Sequence, residues 1–208
     1  MHDSFRKNKA LFIVFEGIDG SGKSTQSLKL FNYLKEQGFT VFHGMEPTNG
    51  EYGSHIREIL KGDEIPSAEK QVELFILDRK ENIKNNVQPV LEKQGIVILD
   101  RYMYSNMAYQ GAMGLSPEFI LNKNLAENFP EPNRVYLIDI TPETAINRIT
   151  KRNSQGEQKN DFFEKASFLD KVRNIYLSNQ RKNFCVINGD SDEETIFEEI
   201  KNDFSHII

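Results

Sequence analysis

The sequence holds a single cysteine, Cys185, so no disulfide can form within the chain. Cys185 sits in the apolar run Phe184-Cys185-Val186-Ile187, which reads as a buried strand and not as the setting of a nucleophile. Histidine is scarce too: His2, His43, His55 and His206 are scattered without ligand spacing, which argues against a protein-held zinc site. No apolar run nears the roughly 20 residues of a membrane span, and Met1–Lys9 is too polar for a secretory signal. The expectation is a cytoplasmic protein without a membrane partner. Basic residues are outnumbered, 26 Lys+Arg against 31 Asp+Glu, for a net charge of -5. That balance argues against nucleic-acid backbone as the main partner, since phosphate binding needs a basic surplus. Repeats, low-complexity tracts and interdomain linkers are lacking as well. At 208 residues the chain is most simply a disordered tail over 1–10 and one domain over 11–208.

What the chain does have is concentrated in Phe12–Thr25. An apolar run, Leu11 to Phe15, ends in Gly17-Ile18-Asp19-Gly20-Ser21-Gly22-Lys23-Ser24, which fits G-x-x-x-x-G-K-[ST]. Gly17 and Gly22 let the backbone turn its N–H groups toward an anion. Lys23 adds a point charge for the terminal phosphates, and the Ser24 hydroxyl is suited to Mg²⁺. The residues after Lys23 carry helical periodicity (Leu28, Leu30, Phe31, Leu34), so a helix N-terminus faces the same phosphates. Strand, glycine loop and helix in that order indicate a nucleoside triphosphate site spanning Gly17 to Thr25.

Further along, Gly38 reads as a helix end and Phe39–His43 as a second strand. Ser67 caps a long helix through Val87, which Pro89 kinks or restarts. Ile96-Val97-Ile98-Leu99-Asp100 is a strand apolar enough to be buried on both faces, and its closing Asp100 is placed where the Mg²⁺ ligand of a phosphate-loop protein is expected. Val135–Ile140 and Phe184–Ile187 complete five strands, Thr141-Pro142 starts a helix, and Ser191-x-x-Glu194 forms a capping box for the last one. Strands alternating with helices predict a P-loop NTPase-type three-layer α/β/α fold on a five-stranded parallel sheet, with ligands beyond the strands' carboxyl ends. A mobile lid is expected over about 148–165.

The stretch Asp100-Arg101-Tyr102-Met103-Tyr104-Ser105-Asn106-Met107-Ala108-Tyr109-Gln110, together with FEG-x-D-G-x-GKST upstream and Phe75-Ile76-Leu77-Asp78-Arg79 between them, resembles the thymidylate kinases. The resemblance implies transfer of the ATP γ-phosphoryl group to dTMP with Mg²⁺ held at Ser24 and Asp100, in a homodimer. It implies that Asp19, Lys23, Arg101 and Arg152 carry catalysis. It implies that Phe75 stacks on thymine, Arg79 reaches the base edge, Arg101 grips the dTMP phosphate, Asn106 reads N3 and Tyr109 packs near the deoxyribose. Asp19, Ser105 and Gln110 join that dTMP site, and Arg148 and Arg152 join the ATP site. Spacing agrees: Phe75 and Arg79, like Asn106 and Tyr109, share helix faces. Taken singly, Phe75 reads more readily as core than as a stacking platform, and Arg79 as a surface charge or the partner of Asp78.

Departures from the family pattern are visible. Glu46-Pro47-Thr48-Asn49-Gly50 lacks the E-P-G-G of many members, Gly20 stands where one subgroup has an arginine, and Phe162 stands where many have a lid arginine. The related readings are a kinase of dUMP or of an unphosphorylated deoxynucleoside, and a phosphate-loop ATPase switch acting on a protein.

Overall fold

The computed structural model describes residues 10–60, 62, 66–153 and 159–208, and the side chains of 152, 153 and 159–164 fall outside it. The expected tail therefore lies almost wholly outside the described residues. Five parallel strands, β1 (Leu11–Glu16), β2 (Val41–Met45), β3 (Ile96–Asp100), β4 (Arg134–Asp139) and β5 (Phe184–Asn188), pair in the order β2-β3-β1-β4-β5. The two strands with unbroken apolar sequence, β1 and β3, are the ones buried along their whole length. Edge strands β2 and β5 are only partly covered, which is why Cys185 is half-buried and not in the core.

Alternate residues of β1 serve opposite faces of the sheet, as the two-residue period requires. Phe12 and Val14 pack under α3 (Ala68–Asn82), α5 (Met103–Ala112), α6 (Pro117–Leu125), α7 (Pro142–Asn153) and α8 (Lys159–Ser178). Leu11, Ile13 and Phe15 pack under α1 (Lys23–Glu36) and α9 (Glu193–Ser205). The chain crosses from β1 toward β2 on one side and joins β4 on the other, so the loop after β1 sits at the switch point where open α/β sheets bind ligands. Register brings Phe15 level with Asp100, and Glu16 level with Leu137, so these strand ends share one edge.

Two local expectations shift, and the restart expected at Pro89 takes the form of a π segment followed by a new helix. Strand β2 begins at Val41, because Gly38 (φ 80) closes α1 and the Phe39 N–H bonds back to the Leu34 carbonyl at 3.1 Å, which keeps Phe39 in the helix cap. The cap of α9 is Asp192, whose Oδ1 accepts from the N–H groups of Glu194 and Thr195 at 3.1 and 3.0 Å, in place of a Ser191–Glu194 box. A carboxylate there also faces the positive end of the helix dipole. Around Pro89, α3 runs into the π segment (Ile83–Val87) and then α4 (Gln88–Glu92). The proline ring would collide with the carbonyl four residues back, at Asn85, and widening that turn relieves the collision. After β2, α2 (Glu51–Ile59) follows the loop 46–50.

Candidate active site

The loop after β1 needs glycine for steric reasons. At Gly17 (φ 145) a Cβ would lie 2.5 Å from the Ile138 carbonyl oxygen, and at Gly20 (φ 84) it would lie 2.7 Å from that of Ala145. An arginine at position 20 is therefore shut out by α7. Helix α1 starts without a side-chain cap, so its first-turn N–H groups face the cavity above the loop. Lys23 is 5 % exposed and donates to the Ile18 carbonyl at 3.3 Å. Burial and the nearby Arg101 guanidinium depress its ammonium to about 8, against the pull of Asp19, Asp100 and Glu16. The Ser24 hydroxyl donates to Asp100 Oδ2, while Asp100 Oδ1 is buried without a hydrogen-bond partner. A hydroxyl beside a spare carboxylate oxygen is an oxygen donor set that fits Mg²⁺.

Arg101 knots the site together. Its backbone is left-handed (φ 73), which turns the side chain back over the loop. Its guanidinium donates to Asp19 Oδ1 at 2.5 Å, Tyr109 Oη at 3.2 Å and Ser105 Oγ at 2.8 Å, and lies 5.0 Å from the Tyr109 ring centre. Desolvation opposes the Asp19 charge, but Arg101 and Lys23 outweigh it and hold the carboxyl down at about 2. Beneath them Glu16 accepts from the N–H groups of Tyr102 and Ser105 at 2.9 and 3.1 Å, from Ser105 Oγ at 2.5 Å and from Tyr176 Oη at 2.9 Å. A strand-end carboxylate thus caps α5 from outside, and burial pushes that carboxyl up against those bonds.

Two cavities meet at this knot. One, of about 650 Å³, lies over the glycine loop and includes Arg57, Arg148 and Ser191. The other, of about 440 Å³, is mostly apolar, walled by Phe75, Tyr109, Met113 and Phe168, with Gln71, Arg79, Asn106 and Gln110 supplying polar atoms. Asp19, Glu46, Pro47 and Arg101 line both.

The structure brings together Gly20, Ser21, Gly22, Lys23, Ser24, Thr25, Asp100 and Arg148 in the first cavity, and Phe75, Arg79, Ser105, Asn106, Tyr109 and Gln110 in the second. Gly17 and Ile18 support the loop from below, Ile18 being buried. Arg79 lines the second cavity and is also held by a buried network. It is 1 % exposed, its Nε and Nη2 donate to Glu46 Oε2 at 2.9 and 2.6 Å, its Nη1 donates to Asn124 Oδ1, and Tyr102 and Phe129 cover its faces. Its partner is Glu46 and not the adjacent Asp78, which accepts from Thr48 N at 2.9 Å and holds the 46–50 loop. Arg148 donates to the Gly189 carbonyl at 2.9 Å and to that of Ser21 at 3.5 Å. The side chains of Arg152 and Phe162 lie outside the described ones.

Sequence reasoning passed over Arg57, which donates to the Pro47 and Thr48 carbonyls at 2.8 and 2.5 Å at the rim of the first cavity. It also passed over Glu16, Tyr176, Gln71 and Asn124. Glu16, charged at the end of a fully apolar strand, carried the one available signal; the others depend on pairings distant in sequence.

Comparison with known proteins gives one answer. Residues 15–200 match the family model described as thymidylate kinase. The thymidylate kinase of Leptospira interrogans is 40% identical over 194 residues, covering 93% of each chain. A probable thymidylate kinase of Archaeoglobus fulgidus is 35% identical over 193 residues, 92% of this chain and 93% of its own. The crystal structure of thymidylate kinase from Ehrlichia chaffeensis superposes with a TM-score of 0.75 at 27% identity, over 95% of this chain and 99% of that one.

Proposed function

Because the chain belongs to the thymidylate kinase family, it phosphorylates dTMP to dTDP at the expense of ATP, and we propose that it does so across the two joined cavities. The ATP phosphates lie over Gly17–Thr25, and dTMP fills the apolar cavity with its phosphate toward Arg101. The shared wall carries this reading: Asp19 and Arg101 border both cavities, at the place where donor and acceptor phosphates must meet in line. Lys23, Arg101 and the N-terminus of α1 offset the repulsion between those phosphates and the charge that develops on transfer. Phe75 faces the base, Asn106 and Gln110 meet its edge, and Tyr109 packs by the sugar. Ser24 and Asp100 would hold Mg²⁺, which when bound would neutralise phosphate oxygen charge. Arg148 borders the ATP phosphates, and Arg152, one helical turn on, serves the lid over 148–165.

The protein works as a cytoplasmic homodimer in this reading. Leu77 and Phe119, exposed on α3 and α6, offer apolar surface for a second copy. Among the described residues no helix is long and apolar enough to cross a membrane.

The test is ADP release from MgATP with dTMP, dUMP, dCMP or thymidine as acceptor. Release that depends on dTMP supports the assignment. A rate unchanged when the acceptor is left out makes the protein an ATPase, and preference for dUMP or thymidine moves it to a neighbouring kinase activity.

Lys23 adds a pH signature. Its ammonium, near 8 in the free protein, is raised when phosphates arrive, so on ATP binding Lys23 takes up a proton over a window that opens near pH 8 and not well below it. ATP affinity should fall as pH rises through that window. Calorimetric binding enthalpies at pH 8.5 should vary with the buffer's ionisation enthalpy in the wild type and not in Lys23→Met.

A further inference from the structure

An amide that reads a pyrimidine edge has a weakness: turned by 180°, it exchanges its donor and acceptor. Thymine presents N3–H and a carbonyl, whereas cytosine presents a bare N3 and an amino group. A freely turning Asn106 would therefore accept either base. The structure shows what prevents the turn. Arg79 Nη1, which can only donate, bonds to Asn124 Oδ1. Asn124 Nδ2 then faces the Ile120 carbonyl at 2.9 Å and Asn106 Oδ1 at 3.3 Å. Asn106 Nδ2 donates to Gln110 Oε1 at 2.8 Å, and Gln110 Nε2 donates to Gln71 Oε1 at 2.8 Å. Gln71 Nε2 ends the chain on the Pro66 carbonyl at 2.9 Å, which can only accept. All four amides are buried. An obligate donor at one end and an obligate acceptor at the other leave one direction for every bond between them. Reversing Asn106 alone sets like against like on both of its sides.

We propose that Asn124 is the residue that fixes thymine over cytosine: it transmits the Arg79 donor to Asn106 and so pins the reading amide in the thymine sense. Asn124 itself is a positioning residue, fully buried on α6 and absent from the walls of the base cavity. The proposal rests on the assignment of that cavity to the base of dTMP.

Asn124→Asp keeps size and the bond from Arg79 but sets an acceptor against Asn106 Oδ1 and the Ile120 carbonyl, so the direction of Asn106 loses its support from this end. Gln71→Glu places the same carboxylate at the other end, where Gln110 already donates, so the direction of Gln110 and Asn106 is kept although the bond to the Pro66 carbonyl is lost. The expected result is that Asn124→Asp lowers the dTMP/dCMP ratio of kcat/KM by about tenfold or more, through KM, as the loss of a matched buried polar pair does. Gln71→Glu should move both substrates together and leave the ratio in place. If Asn124→Asp does not fold, Asn124→Leu, close in size and with neither donor nor acceptor, should still lower the ratio. A wild type without thymine preference overturns the site assignment. A wild type that prefers thymine, with the ratio unchanged in the Asn124 variants, overturns the relay alone.

Discussion

Lys23→Ala should reduce turnover by about 10²–10³-fold, the usual cost of removing one preorganised charge contact at a reacting centre. The melting temperature of the free protein should not fall with it. Lys23 is a desolvated cation whose ammonium is held near 8, and its hydrogen bond to Ile18 is long at 3.3 Å. In the absence of phosphates its charge is a burden on the fold, partly relieved by Asp19 at 3.7 Å. The residue becomes favourable when the triphosphate arrives. Steady-state kinetics and a thermal melt without nucleotide separate these two statements. A variant that melts several degrees lower and loses activity in proportion would show that Lys23 supports the loop itself.

How far the sequence discloses such roles depends on how local their causes are. The glycine loop is legible because its geometry is made by neighbours: strand, turn and helix within fifteen residues, with a Cβ at Gly17 or Gly20 meeting backbone. Strands β1 and β3 are legible because burial on both faces leaves an unbroken apolar run. Phe75, Asn106 and Tyr109 could be named from a family pattern, and the structure gathers them along one cavity. Arg79 shows the limit. Helical spacing correctly put it on the face of Phe75, yet nothing local says that its guanidinium ends on Glu46 or Asn124, 33 and 45 residues away. Asn124 has no motif of its own. Its meaning arises only when α6 is packed against α5 and α3, which is information held in the tertiary structure. The shift of the α9 cap from Ser191 to Asp192 is a smaller case of competition between two adjacent capping residues.

That buried pair supplies the largest effect on stability. Glu46→Ala should cost about 3–5 kcal/mol, the range for removing one partner of a buried ion pair and stranding the other charge. Glu46 and Arg79 are both almost fully enclosed, at 2 and 1 % side-chain exposure. Burial outweighs the pull of Arg79 and Asn82 and pushes the Glu46 carboxyl up to about 7, so its charge depends on the guanidinium beside it. After truncation, Asn124 and the faces of Tyr102 and Phe129 are what Arg79 retains. Glu46→Gln should cost less, because an amide oxygen in the place of Oε2 still accepts from the Arg79 Nε and Nη2. The double variant Glu46→Leu/Arg79→Met should recover much of the loss, since apolar groups of similar size often replace a buried pair without net cost. Activity tells the rest: Glu46 borders both cavities and anchors Arg79 at the head of the amide chain, so the double variant should fold while discriminating thymine poorly. Urea unfolding of the three variants, followed by kinetics on the double variant, measures both halves. A Glu46→Ala protein within about 1 kcal/mol of wild type would mean that Arg79 is paired adequately without Glu46, and the ion pair would lose its place at the centre of this site.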